Sequence, residues 1–123
     1  RRSQAVALER AAAARERAVR ADAVAAVARA GIPGGASVVR ASDGDEVAGE
    51  ISGGVVEGLG VRTEGAGPSA GDRYRGELRN GRPQGLGVYE YSAGGANAGG
   101  AAVRFEGEHA GDGAAGHGVT FWR

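Results

Sequence analysis

The 123-residue chain contains no cysteine, lysine or methionine, and only six of its residues are aromatic. Without cysteine there is no disulfide, no thiolate metal ligand and no thiol nucleophile. The shortage of large side chains excludes a large globular core, since burying one contributes on the order of 1.5–3 kcal/mol and few are available. No apolar run approaches the ~20 residues that cross a bilayer as a helix. A sequence without an initiator methionine is expected to be a processed chain or a fragment. Removal of an organellar transit peptide is one route to it.

Glycine, by contrast, is abundant at 25 residues, and it recurs in register. A Gly-Glu pair occurs at Gly49-Glu50, Gly76-Glu77 and Gly107-Glu108, and each is followed nine residues later by Gly-x-Gly. The three units start 27 and 31 residues apart, and such self-similarity marks a repeat architecture. The clearest unit runs from Tyr74 to Tyr89. Its alternation places Tyr74, Gly76 and Leu78 on one face of a strand and Arg75, Glu77 and Arg79 on the other. Asn80-Gly81 is a strong hairpin signal, because both central residues tolerate positive φ. Glycine weakens a strand unless something approaches it closely. A ring from the adjacent hairpin is expected over the bare glycine backbone.

The pattern resembles the MORN (membrane occupation and recognition nexus) repeat family, whose motif is roughly aromatic-x-Gly-Glu-Trp-x-x-Gly-x-x-x-Gly-x-Gly. The resemblance covers residues 47–123 in three copies. It departs from the motif at Val47, which replaces the aromatic, and at Ile51, Leu78 and His109, which replace the Trp. Asp112 stands for the turn glycine in the last copy. The resemblance implies an elongated, single-layer antiparallel sheet of tandem β-hairpins, with no catalytic site common to the family.

Residues 1–31 read as an α-helical extension, 32–46 as a linker with one short strand at 36–40, and 47–123 as the hairpins. The chain is thus mainly β with one N-terminal helix. Gln4 to Ala30 lacks Gly and Pro and is Ala-rich, with Ser3 as its expected cap, Gly31 and Pro33 as its stop and Glu16–Arg20 as an i,i+4 pair. Leu8, Ala12, Val19, Ala23, Ala26 and Ala30 form a thin apolar stripe. Such a helix packs on its own sheet, docks on another subunit, or lies on a membrane surface. Residues 1–30 carry seven arginines against three acids, and residues 31–123 carry eight against twelve. The basic end is expected to meet its own acidic body or an acidic partner. No aromatic is interleaved with these arginines, which argues against nucleic acid.

Catalytic and cofactor readings are weak. His109 and His117 are expected opposite each other in the last hairpin, but they lack a third ligand for a metal. Asp43-Gly44-Asp45-Glu46 fails the calcium-loop pattern and reads as a solvated acidic turn. Gly58-Leu59-Gly60 and Gly85-Leu86-Gly87 lack the third glycine and the βαβ context of a dinucleotide site. Glu50, Glu77 and Glu108 recur at equivalent positions and are expected to accept backbone N–H groups. The loops 63–72 and 92–102 are Gly/Ala-rich and are expected to be mobile or ordered by a partner.

The sequence therefore predicts a non-catalytic structural or adaptor protein with no cofactor and no metal. It would be an accessory subunit of a larger protein assembly, in a chloroplast or mitochondrial complex. A ciliary or cytoskeletal scaffold, or a phospholipid-binding module making peripheral membrane contact, are the alternatives. The expected partner-binding residues are Leu8, Val19, Tyr74, Tyr89, Tyr91, Phe105, Phe121 and Trp122.

Overall fold

The computed structural model describes residues 2–92, 102–111 and 113–123. One helix, α1 (Arg2–Arg29), precedes seven strands: β1 (Ala36–Arg40), β2 (Glu46–Ser52), β3 (Val55–Thr63), β4 (Arg73–Arg79), β5 (Arg82–Glu90), β6 (Ala102–Ala110) and β7 (Gly113–Trp122). The strands form one open antiparallel sheet in sequence order. Three hairpins, β2–β3, β4–β5 and β6–β7, make up most of it. The short strand expected at 36–40 is β1, which pairs along β2. Asn80, at φ 52°, and Gly81, at φ 75°, form the expected two-residue turn between β4 and β5.

The helix begins one residue before Ser3, which therefore lies inside it rather than capping it. It ends as expected, with Gly31 at φ 70° and its N–H bonded to the Ala28 carbonyl. Glu16 pairs with Arg17, at 2.5 Å, rather than with Arg20. At 1.5 Å per residue the rod is about 42 Å long, while seven strands spaced ~4.8 Å apart are about 29 Å wide. The helix therefore reaches across the whole sheet and touches every strand.

The buried face of α1 is a second alanine stripe, Ala11, Ala14, Ala18, Ala21, Ala25 and Ala28. It packs on Ala48, Val61 and Val88. The stripe singled out in the sequence, from Leu8 to Ala30, faces solvent. The buried stripe is all alanine while the outer one carries Leu8 and Val19, so hydrophobicity alone does not choose the packed side. The flanking arginines choose, as described below. The sheet's other face carries its own cluster, Val47, Val56, Tyr74 and Leu78, with Ile51 and Tyr89 packed beside it. The sheet buries these large side chains against one another.

The loop 64–72 is ordered by the chain itself. Gly71 N–H bonds to the Glu64 carbonyl and Asp72 N–H to that of Ser69. Most of the loop 92–102, and Asp112 at the last turn, lie outside the described residues.

Candidate interaction surface

Each hairpin is closed by the same contact. Glu50 accepts the backbone N–H of Leu59 at 2.6 Å, Glu77 that of Leu86 at 2.6 Å, and Glu108 that of His117. The cause is a bulge in the return strand. Gly49 pairs with Gly60 but Ile51 pairs with Val56, so three residues face Glu50 alone, and the ladder N–H left without a carbonyl takes its carboxylate. Gly58, Gly85 and Gly116 sit in the bulges at φ 103°, 101° and 72°. A Cβ at any of them would overlap the glutamate oxygen. The nine-residue spacing from Gly-Glu to Gly-x-Gly is this contact written in sequence. The expectation that these glutamates bind backbone amides holds.

The second glycine of each Gly-x-Gly makes room for bulk. A Cβ at Gly87 would run into the Tyr74 ring, and one at Gly118 into Phe105. These rings belong to the first strand of the same hairpin, not to the adjacent hairpin as expected. At Gly60, where Val47 replaces the ring, Leu78 of the next hairpin approaches instead, 2.8 Å from where a Cβ would stand.

A second repeated device escaped the sequence reading. Asp45 and Asp72 stand two residues before Val47 and Tyr74 and are buried. Asp72 accepts the Tyr89 hydroxyl at 2.8 Å and the Ser92 N–H at 2.6 Å. Asp45 accepts the Gly65 N–H at 2.8 Å and pairs with Arg62 at 2.7 Å. The donors lie 20 and 17 residues downstream in both cases. The acidic run at 43–46 is therefore no solvated turn, since one of its carboxylates closes a hairpin base. The legible signal was the equal offset of Asp45 and Asp72 from Gly49 and Gly76, obscured by the neighbouring acids.

Ion pairs fix the helix in order along its length. Arg10 meets Glu108, Arg15 meets Glu106 at 2.6 Å, and Arg17 meets Glu77. Asp22 meets Arg75 at 2.7 Å and Arg73, and Arg29 meets Glu46 at 2.6 Å. This is the fold-back of basic end onto acidic body. Hydrogen bonds from Arg40 and Arg29 hold the Glu46 carboxyl below its ordinary pKa. The His117 N–H, with help from Arg10, does the same for Glu108.

The expected contact residues divide by burial. Tyr74 and Phe105 are buried inside the chain, where burial raises the Tyr74 pKa and its hydroxyl donates to the Glu77 carbonyl. Tyr89 and Tyr91 are half-buried, 5.0 Å apart, with pKa values raised by burial. Phe121 lies under the Arg104 guanidinium at 3.8 Å. Leu8, Val19 and Trp122 are 64%, 68% and 68% exposed. His109 occupies the motif's Trp position, edge-on to Tyr74 at 4.8 Å and to Phe105 at 5.3 Å. Burial lowers its pKa from 6.5 to about 4, against hydrogen bonds to backbone oxygens. The register pairs His109 with Ala114, so it does not face His117, whose side chain is exposed beside Glu108. Among the described residues no three His, Asp or Glu converge as metal ligands.

A family model, the MORN repeat, matches residues 74–96. The segment is a MORN repeat. A comparison with curated proteins gave no match. The matched MORN segment holds β4, β5 and the Glu77 contact. A MORN repeat marks a protein-interaction or membrane-binding module, in a family that is generally non-enzymatic. Among the described residues no helix is long and apolar enough to cross a membrane.

Proposed function

We propose that the chain is a non-catalytic scaffold subunit whose hairpins are all MORN copies and whose helix presents an outer stripe to a partner protein. The observation that carries this reading is the two-sided helix. One alanine stripe is used up on the sheet, while Leu8, Ala12, Val19, Ala23 and Ala26 remain exposed on another side of the same rod. The ion pairs hold that rod in place, so the outer stripe is presented without the entropic cost of ordering a free peptide. Small side chains admit a partner helix closely, with Leu8 and Val19 as its anchors. The arginines that would attract anionic headgroups are largely engaged with the sheet carboxylates, which favours a protein partner over a lipid one. The division into helix 1–31, connector 32–46 and hairpins 47–123 is part of this reading, as is membership of an organellar complex. Affinity capture of the tagged full chain, compared with Leu8→Asp/Val19→Asp, tests it. A defined set of proteins held by the first and lost by the second supports the reading. Retention on anionic vesicles with no protein partner overturns it.

A further inference from the structure

β1 has an open outer edge in the middle of a described stretch of chain: α1 and residues 30–35 lead into it, and β2 follows it. The Ala41 N–H donates to the Asp45 carbonyl at 2.8 Å, and the Ile51 N–H to the Gly35 carbonyl at 2.7 Å. Alternation along the ladder therefore turns the backbone groups of Ser37 and Val39 toward β2, and those of Ala36, Val38 and Arg40 outward. Among the described residues no strand takes them.

Two recesses flank that edge, one on each face of the sheet. On the helix side, Val38 packs beside the alanines of α1, and a cleft between the helix end and the strand is lined by Arg29, Ser37 and Arg40. Arg29 and Arg40 meet the two oxygens of a single carboxylate, Glu46, at 2.6 Å and 2.8 Å. Two guanidiniums thus share one carboxylate, and the Arg40 side chain remains 74% exposed. The Asp43 carboxylate is turned into its own loop, where it accepts the Asp45 N–H at 3.0 Å. On the opposite face, the exposed Val39 and Val55 join the buried Val47 and Val56 around a groove of about 220 Å³. A sheet accepts an added strand through such an edge, with backbone bonds giving affinity and alternate side-chain pockets giving specificity.

We propose that β1 takes an extended segment of a partner protein as an eighth strand. Acidic side chains of that segment enter the cleft at Arg29 and Arg40, and they alternate with apolar side chains that enter the valine groove. The outward carbonyls of Ala36, Val38 and Arg40 need donors, which a peptide backbone supplies and a phosphate does not. Shortness and charge ordinarily protect an edge. In β1 the five-residue length limits chance pairing, while the arginines repel a basic strand and attract an acidic one. This surface is separate from the outer helix stripe that carries Leu8 and Val19.

Fluorescence anisotropy of the full chain with labelled seven-residue peptides tests the proposal. The probe is Thr-Val-Glu-Val-Glu-Val-Thr. Its comparisons are the same peptide with lysine for glutamate, and a peptide of equal composition with the two glutamates adjacent. The probe is expected to bind saturably, on the order of ten-fold more tightly than either comparison, by a margin over the lysine peptide that shrinks with added salt. Val38→Pro removes an outward N–H without touching the β2 ladder and is expected to abolish binding. Should that variant unfold, Arg40→Glu decides, and it is expected to reverse the preference toward the lysine peptide. Leu8→Asp/Val19→Asp is expected to bind the probe as the parent chain does, which keeps this test apart from that of the helix stripe. Absence of saturable binding, equal affinity for the three peptides, undiminished binding to folded Val38→Pro, an unaltered preference in Arg40→Glu, or loss of the probe in Leu8→Asp/Val19→Asp would each overturn the proposal.

Discussion

Gly87 is the position where the packing makes its sharpest demand. Its φ is ordinary, so Gly87→Ala strains no backbone; the cost is steric. The new methyl group would stand where the Tyr74 hydroxyl and ring now lie. Tyr74 is 1% exposed, and its hydroxyl is committed to the Glu77 carbonyl at 2.8 Å. The ring cannot swing out without losing that bond and its contacts with His109 and Leu78. Overpacking costs about 1–3 kcal/mol, and the displaced hydrogen bond adds about 1 kcal/mol, so a loss of about 3 kcal/mol is expected. For a domain of this size that lowers Tm by on the order of 10–15 °C. Gly113→Ala is the control, because nothing lies within 4 Å of its Cβ position and its φ is not positive. Calorimetry on both variants gives the answer. A Gly87→Ala protein that melts with the control would refute the argument that the second glycine of each Gly-x-Gly exists to seat a ring.

Two further perturbations separate the other devices. In the folded chain His109 stays neutral down to about pH 4, whereas unfolded it titrates at its ordinary 6.5. Its contribution is complete above 6.5 and is lost as pH falls through that window, by on the order of 1.4 kcal/mol per pH unit. His109→Leu, the residue found at the equivalent position Leu78, is expected to flatten urea stability across that window; an unchanged slope would refute the assignment. The lowered pKa values of Glu46 and Glu108 contribute stability that is lost only as pH falls below their ordinary 4.5, largely separate from the histidine effect. Glu77→Ala strands the Leu86 N–H and is expected to cost about 1–2 kcal/mol in chemical denaturation. Glu77→Gln, which keeps an acceptor, is expected to cost less, and equal losses would contradict the backbone contact.

The hairpins were legible because their constraints are local and repeated. The Gly-Glu to Gly-x-Gly spacing encodes the bulge, Asn80-Gly81 encodes the turn, and the alternation through Tyr74, Gly76 and Leu78 encodes the faces. The packed side of the helix was not legible. The outer stripe, with Leu8 and Val19, is the more apolar of the two, yet the all-alanine stripe packs on the sheet, and the choice depends on which arginines meet Glu108, Glu106, Glu77 and Glu46, whose positions only the folded sheet defines. The rings over glycine were anticipated in kind but assigned to the wrong hairpin, because a two-strand pattern does not reveal which neighbour fills a bare site. Asp45 hid among adjacent acids, and His109 and His117 were separated by the same repeated bulge, whose effect on register the expectation of facing histidines left out. Of the expected contact residues, chemistry alone did not distinguish Tyr74 and Phe105, enclosed by their own hairpins, from Leu8, Val19 and Trp122, which remain outside.

The central claim is that the helix, clamped on one side, serves a partner protein with the other. Quantitative affinity capture of the full chain against Leu8→Asp/Val19→Asp tests it most directly, with Tm measured on both. The account predicts a stoichiometric protein partner held by the parent chain and lost by a variant of unchanged Tm. A partner held equally by both, or none beside strong binding to anionic vesicles, would contradict it.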